Sequence, residues 1–127
     1  MTNLAPIAVA RALTKSYGRK LVLKGISFEI PPGRIYGLVG HNGAGKTTML
    51  NAMLGLTDCG GDVEVLGLDP FRHRAKLMND VAFVSDVASL PRFLRVRELF
   101  ELISDIHPRF SPDKAKDFLQ GTDLRPE

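Results

Sequence analysis

An α/β fold that opens with antiparallel strands is predicted by three observations. Strand-like apolar segments dominate the first 30 residues. A short, nearly all-apolar run then leads into a glycine-rich loop and a stretch of helical periodicity. Beyond it, strand-like and helix-like segments alternate. The chain of 127 residues has the size of one domain, and a composition of 44% hydrophobic and 24% charged residues is that of a globular protein. Its one cysteine, Cys59, excludes a disulfide scaffold and a multi-cysteine metal site. No apolar run approaches the ~18 residues of a membrane span. Residues 1–6 lack the basic-then-apolar pattern of a secretion signal. A cytoplasmic setting is expected.

The elements follow in order. Ile7–Leu13 and Leu21–Ile30 are rich in branched apolar residues and flank a turn at Tyr17-Gly18-Arg19, which predicts two strands. Pro31-Pro32-Gly33 stops the second. Ile35–Val39 reads as a short strand buried on both faces, as in a parallel sheet. Met49, Leu50, Met53 and Leu54 repeat at helical spacing, which predicts a helix over Lys46–Leu56, broken by Thr57–Asp62. Val63–Leu66 reads as a strand, Asp69-Pro70 opens a helix to about Leu77, and Val81–Val84 is another strand, followed by a loop over 85–94. Val96–Ile106 gathers Leu99, Phe100, Leu102, Ile103 and Ile106 on one helical face. Ser111 as N-cap, Pro112 at the first helical position and Gly121 at the end bracket a last helix, Pro112–Gln120.

Charge is uneven. Residues 1–48 hold seven Lys/Arg against Glu29, and residues 49–127 hold ten Lys/Arg against thirteen acids. A basic front half admits nucleic acid, an anionic membrane or a phosphorylated ligand. Without a basic run or basic–aromatic interleaving, the small phosphorylated ligand leads and nucleic acid is not expected.

Gly40-His41-Asn42-Gly43-Ala44-Gly45-Lys46-Thr47 fits G-x-x-x-x-G-K-[ST]. Chance alone in a chain of this composition gives such a match in roughly one case in 200, and here it follows an apolar strand and opens a helix, as its mechanism requires. Gly40, Gly43 and Gly45 allow positive φ and close approach to phosphates. Consecutive N–H groups form an anion-holding concavity, and the helix start adds its positive end. Lys46 reaches terminal phosphates, and Thr47 offers a hydroxyl to Mg²⁺. The plain alternative is a glycine-rich turn capping a helix with Lys46 in solvent.

Thr14-Lys-Ser-Tyr17-Gly, Leu23-Lys-Gly-Ile-Ser-Phe28, Pro32 through Thr48, Leu54-Gly-Leu, Gly61-Asp-Val-Glu-Val-Leu-Gly67 and Val81-Ala-Phe-Val-Ser resemble, in order, the nucleotide-binding domain of ATP-binding cassette (ABC) transporters. Ile35-Tyr-Gly-Leu is most similar to bacterial exporter-type ATP-binding subunits. The resemblance implies a P-loop NTPase-like partial sheet with an antiparallel N-terminal β portion, and the start of a helical subdomain over Val96–Gln120. It implies ATP and Mg²⁺ as ligands, held by Gly40, His41, Asn42, Gly43, Ala44, Gly45, Lys46, Thr47 and Thr48, with Lys46 as the catalytic residue carried over. It makes Tyr17 the aromatic that stacks on adenine; the alternative is a strand-end tyrosine that anchors its turn. It implies ATP hydrolysis coupled to transport, a membrane-spanning partner subunit, a second nucleotide-binding domain, and a peripheral place on the inner face of the membrane. Arg92, Phe93, Leu94, Arg95 and Arg97 are candidates for the docking surface, against a solvated basic loop.

Departures from the family pattern also matter. Where most members carry a glutamine after the strand at Val81–Val84, this chain has Ser85-Asp86. Asp86 is a candidate Mg²⁺ ligand, directly or through water, against a loop acid capping a turn. An apolar strand plus Asp also loosely resembles simpler P-loop proteins, although Ser85 intervenes. A GTPase is disfavoured, because Asp58-Cys-Gly-Gly61 lies close behind Lys46 and no N-K-x-D exists. The chain has no L-S-G-G-Q-like segment, no Asp-Glu after an apolar strand, and no histidine in the family's later context. His41 is a variable loop position, and His73 and His107 read as surface residues. Residues 1–127 are thus expected to be the N-terminal part of such a domain. By itself it would bind ATP poorly and hydrolyse it negligibly, or serve as a non-catalytic nucleotide-binding or interaction fragment. Without later strands beside Ile35–Val39, strand exchange between copies or aggregation is expected.

Overall fold

A hairpin with a shared turn organises the first part of the chain. The structure, a computed structural model, describes residues 5–85 and 93–122 and divides into two units, Met1–Asp80 and Val81–Glu127. In the first unit, β1 (Ala8–Tyr17) and β2 (Lys20–Ile30) pair antiparallel, from Ala8 opposite Ile30 to Tyr17 opposite Lys20. The other edge of β1 pairs antiparallel with β3 (Gly60–Val65), so the sheet order is β2-β1-β3. With neighbours on both edges, β1 buries Ala8, Val9 and Ala10 in succession.

An irregularity in β1 sets which side chains reach the core. Between the pairs Ala10–Phe28 and Leu13–Ile26, two residues of β1 oppose one of β2, which is a β-bulge. Ala12 sits there at φ 50, its N–H donating to Ser27 Oγ at 2.9 Å. The extra residue flips the alternation, so Leu13 joins Ala10 on the inner face instead of pointing away. Leu13, Leu23 and Ala10 pack with Ala52 of α1 (Lys46–Met53), while Met49 adds partial cover. The helix ends earlier than its periodicity predicts because Leu56 N–H turns back to Asn51 C=O at 2.8 Å. Asp69 does open a turn, accepting from the N–H groups of Phe71 and Arg72, but only Arg74–Leu77 (α2) is helical.

The second unit holds α3 (Val96–Ile106) and α4 (Pro112–Gln120), both with the bounds the sequence predicts. Glu98 accepts from Arg95 N–H at 2.9 Å and starts α3. Ser111 Oγ accepts from Lys114 N–H and starts α4. Gly121 closes α4 at φ −89, without left-handed geometry. Phe100 and Phe110 meet edge to face, 5.6 Å between centroids. No helix among the described residues is long and apolar enough to cross a membrane.

Two predicted strands are corrected. Neither Ile35–Val39 nor Val81–Val84 is a strand, and neither joins a ladder among the described residues. Ile35, Val39 and Val84 are 102%, 93% and 90% exposed. The reason is physical: a central parallel strand exists only when neighbours on both edges take its N–H and C=O groups. The two antiparallel ladders are satisfied by β1, β2 and β3 alone.

Two outcomes are expected. Leu13→Ala, which empties a fully buried position, lowers stability by ~2–5 kcal/mol in urea unfolding. Ile35→Lys with Val39→Lys changes stability by less than about 0.5 kcal/mol, because both side chains are already in solvent. The same double variant reduces self-association in sedimentation velocity, because charge on an unpaired apolar segment opposes edge pairing.

Candidate functional site

The glycine-rich loop lies against β2 and runs directly into α1. Gly45 is the junction: it takes φ 89 and is the N-cap of α1. A Cβ there would lie 2.9 Å from Leu23 Cδ2 and 3.2 Å from Val22 Cγ1. Gly43 also has positive φ, at 85. Gly40 does not, which corrects the reading of all three glycines as left-handed; its reason is space, since a Cβ would come 3.2 Å from Ala44 Cβ.

Backbone donors collect at this junction. Met49 N–H makes the first helical bond, to Gly45 C=O at 2.8 Å. The N–H groups of Lys46, Thr47 and Thr48 therefore precede the ladder, as at every helix start. The first turn of α1 carries no acid and no side-chain cap competes for these donors. Ala44 N–H donates to His41 C=O at 3.1 Å, and the Nδ1–H tautomer of His41 donates to Asn42 C=O at 2.9 Å. Lys46 folds back over the loop, donating to Gly40 C=O at 2.5 Å and His41 C=O at 2.9 Å. One ammonium, several N–H groups and a helix N-terminus thus share one small region, which is the donor set a polyphosphate needs.

A cleft of about 380 Å³ adjoins the loop, lined by Lys20, Leu21, Val22, Lys24, Ile26, His41, Gly43 and Ala44. Lys20 and Lys24 thus line the same cleft as the loop residues His41, Gly43 and Ala44. Tyr17 stands opposite Lys20 in the hairpin, half exposed, but does not line this cleft. Its ring lies under Lys15, whose Nζ is 5.4 Å from the ring centroid and 2.5 Å from Asp58 Oδ1. Sequence reasoning missed Lys15 and Asp58, because 43 positions separate them and no motif joins them.

The remaining candidates are scattered. Asp86 and Arg92 lie outside the described residues. Phe93 is 82% exposed, Arg97 approaches Glu101 at 4.0 Å, and the Arg95 side chain is exposed. His73 is exposed, whereas His107, read as a surface residue, is half-buried at the end of α3 with Nδ1 buried. Among the described residues no group of His, Cys, Asp and Glu could hold a metal ion by itself.

The Lys15 ammonium, first by its hydrogen bond and then by its charge, holds the Asp58 carboxyl below the usual carboxylate range. The pair's contribution to stability is present at neutral pH and lost only as pH falls through that lowered value. Burial pushes the Cys59 thiol up, and the negative charges of Asp58 and Asp69 add to it.

A profile described as "ABC transporter" matches residues 23–125. A Nod factor export ATP-binding protein I of Rhizobium meliloti (strain 1021) is 48% identical over 67 residues, covering 52% of this chain and 20% of that protein. An uncharacterized ABC transporter ATP-binding protein of the same organism is 36% identical over 104 residues, covering 78% of this chain and 38% of that protein. The chain thus matches well under half the length of these relatives. A solved structure titled "Structure of ATP binding subunit of ABC transporter" superimposes with a TM-score of 0.75 at 22% identity, covering 89% of this chain and 47% of the other, which shows a shared fold.

The raised thiol gives a direct expectation. At mildly alkaline pH, iodoacetamide alkylates Cys59 more slowly in the folded chain than in urea, because only the thiolate reacts. Equal rates, followed by mass spectrometry, contradict the burial and charge described for that site.

Proposed function

Since the chain belongs to the ABC transporter family, we propose that residues 1–127 are the N-terminal part of an ATP-binding subunit whose loop 40–48 grips the polyphosphate of ATP. Members of this family bind ATP with Mg²⁺. The observation that carries the reading is the convergence of Lys46, the pre-ladder N–H groups of α1 and the Gly43–Gly45 backbone on one region.

The roles follow from electrostatics. Lys46 exchanges its two carbonyl partners for phosphate oxygens, trading neutral acceptors for charged ones, which are roughly twice as strong. The N–H groups of Gly43 and of Gly45 to Thr48 take the remaining oxygens, with no side chain to exclude them at Gly43 and Gly45, while the Ala44 N–H holds the loop through His41 C=O. His41 and Asn42 shape the loop through their mutual hydrogen bond. Thr47 supplies a hydroxyl to Mg²⁺, and Asp86 is a second candidate for that ion. When bound, Mg²⁺ neutralises phosphate charge. Tyr17 offers an aromatic face to the base.

By the same reading the subunit couples ATP binding and hydrolysis to transport. It works beside a membrane-spanning subunit, on the inner face of the membrane, and pairs with a second copy of itself. The exporter names of the relatives support an exporter over an importer.

Calorimetric titration with Mg·ATP tests the site. Lys46→Ala is expected to lower affinity at least about tenfold, the loss of one charge-assisted contact set of ~1.5–3 kcal/mol, with unchanged far-ultraviolet circular dichroism. Unaltered affinity in a folded Lys46→Ala variant rejects the assignment.

A further inference from the structure

Lys15, Asp58 and Tyr17 form a three-residue arrangement that the phosphate site does not use. Asp58 lies beyond the end of α1 and its side chain is 76% exposed, while the Lys15 side chain is 12% exposed. The ion pair therefore fixes the ammonium at one place, over one face of the Tyr17 ring, 5.4 Å from its centroid. Tyr17 itself is 51% exposed, so the ring presents further surface to solvent. It stands opposite Lys20, which lines the cleft shared with Gly43 and Ala44. Tyr17 and the cleft thus share one neighbour, Lys20 of β2.

We propose that Lys15, clamped by Asp58, is a positioning residue that holds the Tyr17 ring in place as the base-stacking platform for a nucleotide whose phosphates lie in the loop. This inference rests on the nucleotide reading of the loop. Two physical effects support it. A cation on one ring face is attracted by the negative quadrupole, which restricts the ring's rotation. It also draws π density toward itself, so the opposite face repels the π cloud of a stacked base less. A bare tyrosine at a hairpin turn would offer neither orientation nor polarisation.

The test compares ATP with inorganic tripolyphosphate, which lacks a base, by calorimetry on the full chain. Lys15→Met and Asp58→Asn are each expected to weaken ATP binding about two- to fivefold, the range of an exposed cation–π contact, and to leave tripolyphosphate binding unchanged. Tyr17→Phe retains ATP affinity, and Tyr17→Ala loses it with no further loss on adding Lys15→Met. In a Tyr36→Phe background Tyr17 is the sole tyrosine of a chain without tryptophan, and its emission shifts with Lys15→Met and with Asp58→Asn. Asp58→Asn alters an exposed side chain outside the sheet, and so keeps the test alive if Lys15→Met misfolds. Equal losses for ATP and tripolyphosphate overturn the proposal, since they mean a general charge effect. A loss with Tyr17→Ala but none with Lys15→Met or Asp58→Asn overturns the positioning role alone. No effect of Tyr17→Ala on ATP, or no ATP binding by the unaltered chain, overturns the nucleotide-stacking reading and the proposal with it.

Discussion

The contact of Gly45 with Val22 and Leu23 is the constraint on which the rest of this structure depends. It fixes the start of α1 against β2, and only a residue without Cβ permits that distance. From that point the helix carries Ala52 down onto Leu13 and Leu23, so the core and the phosphate loop are two ends of one packing arrangement. The β-bulge at Ala12 serves the same contact from the other strand, since without it Leu13 would turn to the opposite face. A loop that must hold many partial charges is thereby built on a rigid base and not on a free turn.

Elements with local causes were legible in the sequence. Both helices of the second unit carry their own caps, Glu98 on the Arg95 N–H and Ser111 on the Lys114 N–H, and their bounds agree with the reading. The hairpin carries its own turn. The start of α1 at Lys46 was legible because the glycine-rich motif before it sets residue types at fixed spacing. Illegible were features with partners far away in sequence. Ile35–Val39 reads as a strand from its composition, yet strand pairing is a property of neighbours, and none of the described residues pairs with it. The Lys15–Asp58 pair and the bulge leave no periodic trace, because a single ion pair and a single extra residue do not repeat.

Gly40 illustrates how a motif glycine can have a different cause from the one its sequence suggests. The motif names a glycine, and left-handed φ is the commonest reason for one, but here the Ala44 methyl crowds the place a Cβ would take. The distinction matters chemically. A left-handed glycine turns the N–H of the chain, whereas Gly40 leaves room for the Ala44 methyl while its carbonyl accepts from Lys46 Nζ. The lysine and the first glycine are therefore one device, six residues apart.

That device explains why a basic front half can build an anion site without a run of basic residues. Lys46 is held by carbonyls, Lys20 and Lys24 of β2 line the cleft, and Lys15 is paired with Asp58. The register of β2 against β1 shifts between Leu21 and Leu23, so alternation is broken at Val22, which adjoins Gly45 and, like Lys20 and Lys24, lines the cleft. The positive charge is thus gathered beside one cleft and one helix start, not by sequence density. A nucleic-acid surface spreads cations along a backbone of repeating phosphates. Here Lys20 and Lys24 line one short cleft beside the loop that holds Lys46, the arrangement that the proposed grip on a single compact polyphosphate calls for.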